Sequence, residues 1–386
     1  MTAESAARFL DSRAAYMMFV TTTNEKAAIA GRVGRELEGI APGETALRLF
    51  DAGMGDASVL VSVMRRLHQV FPHVPWLIVG KEISVEDVRH ALDRLPDRLV
   101  EHPELVFAVT NLSYVDAPRM ASDRQHVVFR VTALEGTTAH DFAQQIRTSH
   151  HAIDQDWAVR TSPRTGNPVP VTPAVHVYHR ADRSFILKQV IPGPVGTDGV
   201  YDLIMASQPY RARSSAEHKA RTVVAPLVGA LAPGGLLVGI HGFGDDPGLE
   251  IIHGVWPDEA PFQTGRHELL EAVQADLGDA ASEYEFPTLA DAESLFEYGM
   301  YEMPSETAEH IGTSAILAAW NAAVYVAQID EDRLTSAVQS GAYIEATRHV
   351  LRKYGRITFR DESYLVRRRV EVGPTADAGH QPPAVD

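Results

Sequence analysis

Two glycines one residue apart, Gly53 and Gly55, follow an acid, Asp51, at the end of the apolar run Leu47-Arg48-Leu49-Phe50. The chain then resumes at helical spacing through Val59, Leu60, Val63, Met64 and Leu67. Strand, tight turn and helix start in that order lay backbone against a ligand where a Cβ would obstruct. The helix start adds free N–H groups and a partial positive charge. A second apolar run, Trp76–Gly80, ends in Lys81-Glu82, and an acid at the tip of a neighbouring strand is placed to hydrogen-bond a ribose diol. No Gly-Lys-Ser/Thr follows the glycines, which excludes a triphosphate-cradling loop. A nucleoside-bearing ligand fits these residues.

A third run, Tyr201-Asp202-Leu203-Ile204-Met205-Ala206-Ser207-Gln208, precedes Leu231-Ala232-Pro233-Gly234-Gly235-Leu236. In this order of features the chain resembles the class I S-adenosylmethionine-dependent methyltransferases. Asp51-Ala52-Gly53-Met54-Gly55 is similar to their first motif, with Ala57 where many members carry a third glycine. The resemblance implies S-adenosylmethionine as cofactor, S-adenosylhomocysteine as product, and cofactor contacts from Asp51, Gly53, Gly55, Glu82 and Ser207. It also implies a contact from Asn111 to the adenine amino group; on the residues alone, Asn111 equally suits shaping its turn. A dinucleotide-binding Rossmann domain is the alternative reading of the same glycines.

Within that superfamily the chain resembles histamine N-methyltransferase and its relatives over roughly 9–115 and 200–369. Phe19 and Glu25 match the N-terminal substrate-binding segment, and Gln208 with Tyr210 matches the end of the strand facing the acceptor. The resemblance implies Gln208, Glu25 and Tyr210 as catalytic and Phe19 as substrate-binding; by their own chemistry, His241, the aromatic face of Phe243 and the Asp361 carboxylate are further substrate-binding candidates. The family's last strand carries Asn where this chain has Arg360-Asp361-Glu362. The expected reaction is methyl transfer to a small molecule, foremost an amine nitrogen. The alternatives are O- or C-methylation in secondary metabolism, with His241 or His253 as base for a phenol, and a non-catalytic cofactor-binding partner protein. Glu25 has a second account, as an acid in the first turn of a helix capped by Thr23 or Asn24.

The elements that must position these residues alternate at short spacing: strand 47–52, helix 56–70, strand 75–80, helix 84–94 and strand 104–110. That pattern gives a parallel sheet with helices on both faces. The expected fold is an α/β, Rossmann-like methyltransferase sheet with N-terminal helices, an inserted subdomain and C-terminal helical and strand additions. Residues 1–40 form a helical cap, 41–118 and 198–370 the cofactor-binding domain, 119–197 an insertion, and 371–386 a disordered tail. The insertion is expected to carry its own small sheet or hairpin, with β-type runs at 174–179 and 184–191, and to serve as a lid or homo-oligomer contact. Its histidines and acids (His140, Asp141, His150, His151, Asp154, His176 and His179) lack metal-ligand spacing, so no metal is expected.

The 386 residues contain no cysteine, which excludes disulfides and thiolate chemistry. With 51 acids against 35 bases the net charge is −16, unfavourable for nucleic acid or anionic membrane. Arg367-Arg368-Arg369 is the best basic candidate and reads as a solvated strand end. No apolar stretch nears the roughly 20 residues of a membrane span, and the first residues lack a signal peptide's blocks. A cytoplasmic protein acting on a small molecule is expected.

Overall fold

The computed structural model describes residues 13–163, 168–301 and 312–370. The start of the N-terminal helix, Gly166 and the expected tail 371–386 lie outside them.

Helices α1 (Arg13–Thr22) and α2 (Glu25–Gly34) lead into β1 (Leu47–Asp51), α3 (Ser58–Val70), β2 (Trp76–Lys81), α4 (Val85–Glu101) and β3 (Leu105–Thr110). Almost every residue of these three strands is buried, as apolar runs covered on both faces must be. On α3 the buried residues Val59, Leu60, Val63, Met64 and Leu67 recur every three or four positions and face the sheet. Ser84 caps α4 by accepting from Asp87 N–H, with Glu86 and Asp87 in the first turn.

Next come β4 (Val128–Leu134), α5 (Ala139–Asp156), β5 (Val159–Thr161), β6 (Pro168–Pro170) and β7 (Ala174–Arg180). β8 (Tyr201–Ser207) follows, then α6 (Ala216–Lys219) and α7 (Ala225–Val228), joined by a π-helical turn, and β9 (Leu231–Gly242). The chain closes with α8 (Pro247–Val255), α9 (Arg266–Leu277), β10 (Tyr284–Glu285), α10 (Asp291–Ser294), β11 (Leu295–Gly299), α11 (Thr313–Val326), α12 (Glu331–Ser340), α13 (Ala342–Tyr354) and β12 (Thr358–Arg368).

The sheet runs β10-β12-β9-β8-β1-β2-β3-β7-β4, with β11 beside β12. Strands β3, β2, β1, β8 and β9 are mutually parallel, while β12 is antiparallel to β9 and β7 antiparallel to β3. This is a doubly wound, Rossmann-like sheet with helices on both faces. One buried cluster joins α2, α3, α4 and α5 to one face, and a second joins α7 and α9 to the other. A third gathers α1, α8, α11, α12 and α13 around Phe19, Tyr298, Trp320 and Phe359.

Several expectations change. The runs β4 and β7 of the insertion do not join a sheet of its own: β7 pairs with β3 and β4 with β7, so they extend the main sheet at its β3 edge. Only β5 and β6 form a private hairpin. The run 184–191 is a 3₁₀ turn over Ile186–Gln189, because the chain has just left β7 and must reverse towards β8. On the edge of β12 away from β9, β10 pairs only at Tyr284–Glu285 and β11 takes most of the remaining pairing.

Candidate functional site

From β1 the chain winds outward through β2 to β3, and from β8 it winds the other way to β9. The crevice outside the carboxyl ends of β1 and β8 is therefore the topological switch point, where open α/β sheets bind ligands. Asp51-Ala52-Gly53 and Ser207-Gln208 meet there. A Cβ on Gly53 would lie 3.3 Å from the Ser207 carbonyl oxygen, a tight contact that would press the two strand tips apart by a few tenths of an ångström. Gly55 has φ +54, and Ala57 also stands in the left-handed region at φ 61. Gly53 N–H donates to Asp51 Oδ1 at 3.2 Å. Burial, outweighing that bond, pushes the Asp51 carboxyl up to about 7.

Glu82 sits at the tip of β2, as expected. Its Oε2 accepts from Gly55 N–H at 2.9 Å, and its Oε1 from Ile83 and Ser84 N–H at 2.7 and 2.8 Å. A carboxylate offers about four acceptor sites; three are taken, which leaves one for a ligand hydroxyl. Burial raises its pKa against these amides. Asn111 differs from expectation. Its Nδ2 donates to the carbonyls of Asp156 and Thr172 at 3.0 and 2.9 Å, and its Oδ1 accepts from Ala174 N–H at 2.8 Å. The oxygen that would accept from the adenine amino group is taken by Ala174 N–H, and both amide hydrogens are committed to carbonyls of the insertion, so Asn111 anchors β7.

A second group assembles where β8 ends and β12 begins, near α1 and α2. Gln208 follows β8 at φ +50, a strained conformation for a residue with a Cβ. Its Nε2 donates to Asp361 Oδ1 and Oδ2 at 3.4 and 3.5 Å, long bonds to a fully buried carboxylate. Burial, then the nearby Glu25 and Asp246 carboxylates, drive the Asp361 pKa well above the usual range. Glu25 is 6% exposed at the start of α2. Asn24, the N-cap residue, makes no cap bond and instead accepts Gly299 N–H at 2.7 Å. Among the described residues Glu25 Oε2 makes no hydrogen bond, with Lys26 Nζ 3.4 Å away, and the buried Tyr298 hydroxyl has no hydrogen-bond partner. Its ring stacks on Phe359 at 5.3 Å and meets Phe19 edge-on at 6.4 Å, while Phe19 stacks on Tyr325 at 4.8 Å. Acids with unmet hydrogen-bonding capacity beside aromatic rings suit a cation.

Tyr210 and His241 stand apart from this group. Consecutive strand residues face opposite ways: Ser363, on the Asp361 side of β12, meets Arg32 of α2, whereas Glu362 meets Arg266 of α9. His241 Nε2–H donates to Glu362 Oε1 at 2.8 Å, its Nδ1 is hydrogen-bonded to the Tyr210 hydroxyl at 2.8 Å, and the Tyr364 hydroxyl lies 3.2 Å beyond. Both imidazole nitrogens are engaged behind the sheet, which removes His241 as base for a phenol. His253 Nε2–H donates to the Glu259 carbonyl at 2.9 Å. Phe243, half-buried past β9, donates its N–H to the Arg360 carbonyl at 2.9 Å. Among the described residues no group of three or more His, Asp or Glu is arranged to hold a metal ion.

The sequence matches no protein-family profile and no curated protein. Several solved structures similar to it are methyltransferases by name. Loganic acid methyltransferase with SAH is 10% identical, covering 96% of this chain and 98% of that one, at a TM-score of 0.35. Geranyl diphosphate methyltransferase in complex with GPP and sinefungin is 12% identical, covering 88% and 78%, at 0.33. Phosphoethanolamine N-methyltransferase 2 of Haemonchus contortus is 10% identical, covering 94% and 60%, at 0.32. Likenesses this distant decide nothing about cofactor or acceptor; the strand order and the side chains must do so. Two site features have no sequence signature. Tyr298 lies on a strand too short to show alternation, and Asp246, pushed up to about 6 chiefly by burial, looks like an ordinary helix cap.

Proposed function

We propose that the chain binds S-adenosylmethionine at the β1/β8 switch point and methylates an amine nitrogen of a small molecule held among Gln208, Glu25 and Asp361. The observation that carries this reading is the long, strained approach of Gln208 to the buried Asp361 carboxylate, at the end of the strand that flanks the glycine turn. The crevice fits the cofactor on its own geometry. Gly53 and Gly55 leave room for backbone approach, the desolvated Asp51 suits a cationic group, and Glu82 keeps one acceptor site for a ribose hydroxyl.

Bound there, S-adenosylmethionine supplies an electrophilic methyl group. The protein's task is to hold an acceptor lone pair in line and to remove a proton. The aromatic rings and Glu25 would receive an ammonium group. A desolvated carboxylate is a stronger base than one in water, so Asp361 would take a proton from the nitrogen, and Gln208 would orient that nitrogen without adding charge.

The test is mass-spectrometric detection of methylated product from a panel of primary and secondary amines, then phenols. Methylated amines, with Asp361→Asn lowering kcat/KM on the order of a hundredfold and leaving S-adenosylhomocysteine affinity intact, support the reading. Methylation of phenols alone, or cofactor binding without turnover, would replace it with the hydroxyl-acceptor or the partner-protein reading.

A further inference from the structure

Glu82 is held from four sides. Its N–H donates to the Thr110 carbonyl of β3 at 2.9 Å, and its carboxylate binds the glycine turn and the start of α4. Its own carbonyl accepts Trp157 Nε1–H at 2.8 Å. Trp157 is buried at the C-terminal cap of α5, inside the insertion, with its ring edge on His176 at 5.3 Å. The preceding residue, Asp156, accepts Arg130 Nε–H of β4 at 2.7 Å and His176 Nε2–H of β7 at 2.8 Å. Its carbonyl accepts from Asn111, which also fastens the start of β7. Two adjacent residues thus tie together the tips of β2, β3, β4 and β7.

We propose that the insertion sets cofactor affinity by fixing Glu82, and that Trp157 is the positioning residue through which it acts. The inference rests on the proposed role of Glu82 at the ribose. A carbonyl released at the tip of β2 would let the Glu82 backbone turn, carrying its carboxylate away from Gly55 and from the one acceptor site left for the ligand. The segment acts as a brace from behind, so it does not need to move over the crevice.

The test is calorimetric titration of S-adenosylhomocysteine into wild type, Trp157→Phe, Glu82→Ala and the double variant. Trp157→Phe keeps a buried ring and removes the donor, and losing one hydrogen bond is expected to weaken binding about five- to tenfold. KM for the methyl donor should rise with it, while KM for the acceptor stays unchanged. In the Glu82→Ala background the same substitution should add little, since a residue acting through Glu82 has nothing left to act on. Unchanged affinity in Trp157→Phe, or effects that multiply in the double variant, would overturn the inference. Wild type that binds no S-adenosylhomocysteine would overturn the cofactor reading and this inference with it, a result distinct from either of those. If Trp157→Phe does not fold, Arg130→Gln frees Asp156 from the exposed side of β4 and should weaken binding about two- to threefold; no change there would overturn the inference.

Discussion

Ala57 and Gln208 carry the backbone strain of the site, at φ 61 and φ 50, on either side of the glycine turn. A Cβ in the left-handed region costs about 1–2 kcal/mol, and glycine gives part of that back as unfolded-chain entropy. Ala57→Gly should therefore stabilise the protein by about 0.5–1 kcal/mol, read as a rise in thermal midpoint; a lower midpoint would contradict the strain. The glycine turn was legible from the sequence because Gly55 stands at φ +54 and Gly53 approaches the Ser207 backbone closely, and Glu82 because it is the acid at the tip of the next apolar run. Glu25 and Gln208 were singled out only through a resemblance and Asp361 by its charge; the structure places Gln208 against Asp361, whose pKa the Glu25 carboxylate helps to raise. Tyr210 and His241 were misplaced because Tyr210 lies past the end of β8, where alternation no longer tells which face a side chain takes. Asn111 misled for a different reason: the β7 backbone that claims its amide is more than sixty residues away in the chain.

At the scale of elements, alternating apolar runs gave β1, β2, β3 and β8 almost to the residue. The insertion was the main loss. Its strands join the sheet through β7 running antiparallel to β3, and nothing local in Ala174–Arg180 distinguishes an added sheet edge from a private hairpin. One pairing of elements carries a pH prediction. His102, just past α4, stacks on Trp76 of β2 at 3.5 Å, and its Nε2–H donates to the Val74 carbonyl at 3.0 Å. Its Nδ1 must then accept from His68 of α3, 3.0 Å away. Burial first, and then the neighbouring histidines, depress its pKa to about 4 from 6.5. Below pH 6.5 the unfolded chain takes a proton that the folded one refuses, so stability falls progressively from about pH 6.5 to pH 4, by about 2–3 kcal/mol. Denaturant titrations across that range should show a smaller acid loss in His102→Phe than in wild type. Equal losses would mean that this histidine is not held neutral.

The whole molecule is acidic, and its one basic run is neutralised locally: Arg368 pairs with Glu283 and Arg369 with Glu285. No helix among the described residues is long and apolar enough to cross a membrane. What remains prominent at this scale is a doubly wound sheet whose switch point carries the glycine turn, two desolvated acids and, beside it, buried carboxylates packed near aromatic rings. The central claim is that this switch point binds S-adenosylmethionine, and calorimetric titration of the purified protein with S-adenosylhomocysteine tests it most directly. Asp51, poised at about 7 when the crevice is empty, should lose its proton next to the ligand's ammonium group. Binding should accordingly be micromolar, should release a proton near neutral pH, as read from buffers of different ionisation heat, and should tighten as pH rises through 7. No binding, with a dinucleotide binding in its place, would contradict the account.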